Sequence, residues 1–334
     1  MANPTNLQFA LYLLVASELS LFLILGGTDF GAGIATFFVH DDQDRDAIVR
    51  TSGPVWGGNE TWLVAGMAAM FGAFPHWYAA LTSGFYLFFI FMLVCFMFRG
   101  VAFDYRKKWR SKTYNRVWDW GLFLGSLIPP FLLGIIFSAS LRGVTFNGDF
   151  IWIKAGEVFN LFTLCSALFL VLLCIQIGLT RVRKRAPETT ASNLKRPLKL
   201  VNYSCYGLAL LEVVLLALNT TMFQAHLAAT IVVLIVLAIG LVLVSWNRPR
   251  ISFWGAVVAI GSFSAVIFLG LYPNLISSTS GIPLTIMAAA SGRESQLWVA
   301  FGSGMMLPLM IILQITAYHL IHKVYQAPDS EINY

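Results

Sequence analysis

The stretch GLALLEVVLLALNTTMFQAHLAATIVVLIVLAIGLVLVSWNRPR, residues 207–250, holds two apolar runs around a short polar interruption and ends in two arginines. The interruption at 222–224 is either a hinge between two helices or a flaw inside one. A helix rises about 1.5 Å per residue, so the runs 201–221 and 225–246 are each long enough to cross a hydrocarbon core of about 30 Å. The reading decides on which side of a membrane Arg248 and Arg250 emerge, and therefore how many helices the chain has.

Working outward, apolar periodicity and breakers place further spans at 7–38, 52–74, 78–98, 118–140, 157–180, 252–272 and 297–322. The 334 residues are 58% hydrophobic and 11% charged, with a mean hydropathy of +0.74. A soluble chain carries about a quarter charged residues. The sequence therefore predicts an all-α, polytopic membrane protein, residues 1–334 forming one membrane domain. The first span exceeds what a bilayer requires, so its C-terminal third is expected to project or tilt.

Charge selects the count. With nine helices, 19 of the 22 Lys and Arg fall on one side and three, Arg142, Lys154 and Arg293, on the other. An eight-helix chain would move Arg248 and Arg250 to the poorer side. Basic residues are retained on the cytoplasmic face, which favours nine helices, the N-terminus outside and the C-terminus inside. The same rule accounts for the net charge of +6 without nucleic acid as a partner. RVRKRAPETTASNLKRP (181–197) reads as a solvated basic linker within reach of anionic lipid head groups. Cys95, Cys165, Cys174 and Cys205 form no Cys-x-x-Cys pair, and MANPTNLQ (1–8) lacks a basic leader region, so the first run reads as retained.

Acids at membrane depth cost roughly 2.5–3.5 kcal/mol each on insertion, so each needs a reason. Glu157 opens a helix, where the dipole favours a carboxylate. Glu212, mid-span, is either a proton-exchanging group or a neutral acid hydrogen-bonded to a neighbouring helix. Glu18 and Asp29 lie eleven residues apart, close to three turns, and share a face. With Ser17, Ser20 and Thr28 they form either a wet, proton-accessible path or a pair of acids buried between helices. In GPVWGGNETWLVAG (53–66), Trp56, Asn59, Glu60 and Leu63 share a face at helical spacing. Gly53, Gly57 and Gly58 are expected to let another backbone come close, so Asn59 and Glu60 should point into protein. If Glu60 only fills a hydrogen-bonding slot, Gln replaces it well.

Metal or haem ligation by this chain is not expected. His40 and His76 lie near span ends, His226 stands alone, and His319 and His322 occupy a last helical turn, where His is ordinary. The glycines of GGTDFGAG (26–33) lack a βαβ setting, which excludes a nucleotide loop. Acids in an apolar bundle also suit a proton-coupled transporter, but no second half echoes the first as transporter repeats do.

TDFGAGI (28–34), GPVWGGNETWL (53–63), FPHWYAALTSGFYL (74–87), RGVAFDYRKKW (99–109) and WDWGLFLGSLIPPFLLGIIF (118–137) together resemble subunit II of cytochrome bd-type quinol oxidases. The match is dense over the first 140 residues and continues in LYPNLISST (271–279). The resemblance implies a respiratory oxidoreductase of the bacterial inner membrane, oxidising quinol and reducing oxygen to water. It implies a haem-bearing partner, subunit I, holding two b haems and one d haem, and it allows for a structural quinone and a small single-helix accessory subunit. This chain would then support assembly and haem retention and contribute polar residues to proton supply. The motifs also mark Gly53, Pro54, Arg99, Asp104, Asp119, Pro129 and Pro130 as structural positions. Two family acids are absent, one replaced by Gly57 after the tryptophan and one by Gly26 three residues before Asp29.

Overall fold

The computed structural model describes residues 4–39, 41–106, 108, 111–146, 151–152, 154–279 and 281–326; side chains are described as far as Leu320 and not for Lys112, Phe146, Ile151 or Trp152. His40, Lys107 and Arg110 lie outside the described residues, and the side chains of His322 and Lys323 lie outside the described ones.

The helices run in the order α1 (Asn6–Ala35), α2 (Asp42–Ser52), α3 (Trp56–Ala73), α4 (Pro75–Gly84), α5 (Tyr86–Tyr105), α6 (Lys112–Arg142), α7 (Ala155–Val158), α8 (Leu161–Arg185), α9 (Glu188–Asn193), α10 (Lys195–Asn219), α11 (Met222–Ala225), α12 (Leu227–Val244), α13 (Pro249–Leu271), α14 (Ile286–Ala289) and α15 (Arg293–Gln326). Eight of them are long and apolar enough to cross a membrane. Helix α3 also has 18 residues, but Asn59 and Glu60 in its opening turns keep it less apolar than these eight. The interruption that opened the sequence reading is a true break, with α11 standing between α10 and α12.

Helices α1 and α8 form the centre. Their contact is backbone on backbone: a Cβ at Gly31 would overlap the Cys174 carbonyl, and one at Gly178 would overlap Gly31. Van der Waals packing, rather than a hydrophobic drive, holds helices together in lipid, so small residues at such crossings bring them close. Gly134 meets Ala167 and Gly240 meets Ala259 in the same way. The C-terminal third of α1 does not stand free: every residue from 26 to 35 is buried. Pro129 and Pro130 sit inside α6, which continues to Arg142 and ends at Gly143, whose φ of +113° favours glycine. In lipid, neighbouring helices re-satisfy the backbone groups that such prolines free.

One end of the bundle carries two small hairpins, Thr145–Phe146 with Ile151–Trp152 and Asn274–Ile276 with Leu284–Thr285, joined by a bridge between Val144 and Ser278. Glu157 binds them. It accepts hydrogen bonds from the Thr145 backbone (2.9 Å), the Thr145 hydroxyl (2.5 Å) and the Thr279 hydroxyl (3.0 Å). It lies ahead of the spanning helix α8, which begins at Leu161.

Candidate polar site

At the other end, α1, α3, α5, α8 and α15 bring their polar residues to one buried node. The α1–α8 crossing sets Asp29 beside Arg181, and Asp29 reaches α3. Asn59, fully buried, donates to the Asp29 carboxylate at 2.5 Å and to the Leu25 carbonyl at 3.2 Å. Its amide oxygen accepts from Gln314 (2.6 Å) and from the Tyr318 hydroxyl (3.2 Å), both on α15. All the hydrogen-bonding capacity of one amide is thus spent on two other helices, α1 and α15.

Both acids of the node face a guanidinium. Glu60 pairs with Arg99 at 2.5 Å, and the Arg99 side chain is entirely buried. The same guanidinium lies over the Phe30 ring, 4.4 Å from its centroid, a favourable placement for a desolvated cation. Arg181 stands 3.8 Å from Asp29 and donates to the Thr28 and Tyr318 hydroxyls and to the Thr51 carbonyl (3.2 Å). Two acids and two arginines therefore balance inside the protein. The sequence reading places Arg99 and Arg181 among loop charges; the structure buries both. An acid at depth selects a cation from whichever helix crosses it, and linear counting does not see crossings.

The glycines of the 53–66 motif behave differently from expectation. A Cβ at Gly57 would meet nothing within 4 Å, and Gly57 and Gly58 are exposed on the outer face of α3. The close backbone approaches are at Gly31 and Gly178 instead. Trp56 stacks on Phe103 and covers Gly100. Gly53 and Pro54 form the turn between α2 and α3, Gly53 donating its N–H to the Val49 carbonyl (2.9 Å).

Glu18 and Asp29 do share a face of α1, both turned to α3, Glu18 lying at Gly66 and Asp29 at Asn59. No polar side chain joins them there among the described residues. Phe22, one turn from Glu18, is buried and packs edge-on against Phe30. Ser17 and Thr28 donate to carbonyls of α1 itself, and Ser20 meets Ser264 on α13. One Glu18 carboxyl oxygen has no hydrogen-bond partner among the described residues. Glu212 accepts from Ser166 and also keeps one unpartnered oxygen, beside a cavity of about 20 Å³ lined by Ser138, Phe169 and Phe263 among others.

Asp119 belongs to a second, outer cluster. It accepts from Arg106 (2.5 Å) and Arg45 (3.2 Å), while Arg106 also binds Asp46. Asp44 accepts from Thr190 (2.6 Å) and Asn193 (2.8 Å), so the 181–197 segment is docked rather than freely solvated. Asp104 is exposed. Of the described histidines, His76 and His319 are exposed, and His226 bonds the Tyr272 carbonyl at 3.0 Å.

The whole chain has close relatives. Residues 7–321 match the family model for cytochrome bd terminal oxidase subunit II. The chain is 33% identical to cytochrome bd ubiquinol oxidase subunit 2 of Bacillus subtilis (strain 168), over 93% of this chain and 95% of that one. It is 41% identical to cytochrome bd-I ubiquinol oxidase subunit 2 of Escherichia coli (strain K12), over 43% of this chain and 38% of the relative. In shape it resembles a chain of the bd oxidase from Geobacillus thermodenitrificans, with a TM-score of 0.74 at 18% identity, covering 96% of this chain and 99% of that one. Helices, motifs and relatives agree, and the chain belongs to the cytochrome bd terminal oxidase subunit II family, as one subunit of a membrane-embedded oxidoreductase.

Proposed function

We propose that this chain serves a quinol-oxidising, oxygen-reducing complex as its haem-free subunit, bracing the haem-bearing subunit I through a charge-balanced node. The observation that carries the reading is the matching of Glu60 by Arg99 and of Asp29 by Arg181 inside the bundle. Removing one partner of a buried pair costs about 3–5 kcal/mol, so these acids are held in place to fix how α1, α3, α5, α8 and α15 meet. Glu60, 20% exposed beside the open edge at Gly57 and Gly58, is where subunit I would reach the node.

In this reading the two b haems, the d haem and the quinol site belong to subunit I. A structural quinone and a single-helix accessory subunit, where present, meet the lipid-facing surface. The complex lies in the bacterial plasma membrane, and α3 is the ninth crossing, which puts the N-terminus outside. Proton supply falls to Glu18 and Glu212, each with an unpartnered carboxyl oxygen, rather than to the paired acids. Membership of the oxidase family sets the transporter reading aside.

The test separates haem content from turnover per haem in the purified complex. Asp29→Asn should lose haem while the remaining haem turns over normally; Glu18→Gln and Glu212→Gln should keep haem and lose turnover. The opposite assignment would overturn the division of roles. This chain purified alone should show no stoichiometric Soret band.

A further inference from the structure

Arg183 and Lys184, in the last turn of α8, share a pocket with Arg248, Pro249, Arg250 and Ile251 at the start of α13. Its volume is about 440 Å³, and among the described residues no acidic side chain lines it. Elsewhere at this end of the bundle the cations are matched: Arg99 by Glu60, Arg181 by Asp29, Arg106 and Arg45 by Asp119. Here four cations converge without a counter-charge, a repulsive arrangement unless an anion shares the space.

Two further features point to an anion. The pocket includes the N-terminus of α13, a 23-residue helix whose first turn has no side-chain cap; Pro249 supplies no N–H, and the free donors of the following residues carry the positive end of the dipole. The hydroxyl of Ser252, which could have reached back to that turn, is instead spent on the Val244 carbonyl at 2.7 Å. The Nε of Arg183 is buried and has no hydrogen-bond partner among the described residues.

The surroundings say which anion. Trp246, just before Arg248 in sequence, and Trp254, one helical turn beyond Arg250 on α13, are 54% and 60% exposed, and indole rings collect at the head-group level of a bilayer. Below it, α12 offers a lipid-facing surface of exposed Val232, Ile235, Ile239 and Val242. A ligand with a phosphate at the level of the tryptophans and acyl chains along α12 satisfies both halves. We propose that this pocket binds the phosphate of an anionic phospholipid of the phosphatidylglycerol class.

The test uses the complete oxidase, purified with its haem subunit in mild detergent and examined by native mass spectrometry. Phosphatidylglycerol should stay bound through detergent exchange, and Arg248→Gln/Arg250→Gln should carry one copy fewer at unchanged haem content. Both arginines are exposed, so folding is not at risk; Lys184→Gln gives an independent second variant. Each basic group near an anionic surface contributes a roughly fivefold preference. In discs of phosphatidylcholine mixed with phosphatidylglycerol, the double variant should therefore lose roughly thirtyfold in preference for the anionic lipid at this site. Equal retention in wild type and variants would overturn the site. Displacement of the lipid by millimolar inorganic phosphate would overturn its assignment to a lipid and make it a soluble-anion site. A wild-type complex that retains no anionic lipid would overturn it as well.

Discussion

Neutralising Glu60 should destabilise the protein, and the structure says by how much. The Arg99 side chain is entirely buried, and its Nε and Nη1 have no partners among the described residues, so Glu60 carries the compensation of that charge. The other nearby acid, Asp29, is committed to Asn59 and Arg181. Unit charges about 4 Å apart at an effective dielectric of about 20 attract by about 4 kcal/mol. Measured losses for breaking a buried pair run at about 3–5 kcal/mol, and the 20% exposure of Glu60 favours the lower end. Glu60→Gln keeps an oxygen for Arg99 to bond but leaves the charge unmatched, at a cost of about 3 kcal/mol. Arg99→Gln should cost a similar amount, including about 1 kcal/mol from the lost contact with Phe30. Because each single variant strands the other's charge, Glu60→Gln/Arg99→Gln should be no less stable than either alone, a coupling of about 3 kcal/mol or more. The assay is unfolding of the purified complex followed by circular dichroism, with haem absorbance in parallel. Additive losses in the double variant would refute the pairing argument. Glu60→Gln with full haem, unchanged stability and oxygen consumption down more than about tenfold, some 1.4 kcal/mol of barrier, would make Glu60 a proton carrier instead.

Three further outcomes are expected. Gly31→Ala drives a methyl into the Cys174 carbonyl and should cost about 2–3 kcal/mol or block assembly, whereas Gly207→Ala, with nothing within 4 Å, should be neutral or stabilising by thermal melting. Burial alone would raise the Glu157 carboxyl, but the hydrogen bonds from Thr145 and Thr279 outweigh it and hold it below the usual range. Its contribution is then present above about pH 4.3 and lost as pH falls through the lowered folded value; limited proteolysis of the hairpin cap should rise on acidification, and Glu157→Gln should remove that dependence. A cysteine in the connection between α5 and α6 should be shielded from an impermeant thiol reagent in intact cells and one in the connection between α13 and α15 labelled; the reverse pattern would overturn the N-outside topology.

What the sequence determined is local or additive. A span shows in the apolar run itself, and the polar residues on either side of α11, Thr220 and Thr221 before it and His226 after it, break the chain between α10 and α12 where they interrupt that run. The family is written in short motifs in fixed order. The face shared by Trp56, Asn59 and Glu60 was likewise legible, because helical spacing alone puts it together. What these residues bind was not. Arg99 lies 39 residues from Glu60, and Gln314 lies 255 from Asn59. A carboxylate in an apolar run demands compensation, but the run does not say from where. That is decided by which helices touch, and the touching is set by volume: Gly31 and Gly178 let α1 and α8 cross backbone to backbone, which carries Asp29 to Arg181. The arginines at the ends of spans, Arg99 and Arg181, were the one visible signal, and only the packing of the helices turns them from boundary charges into the interior partners of the acids.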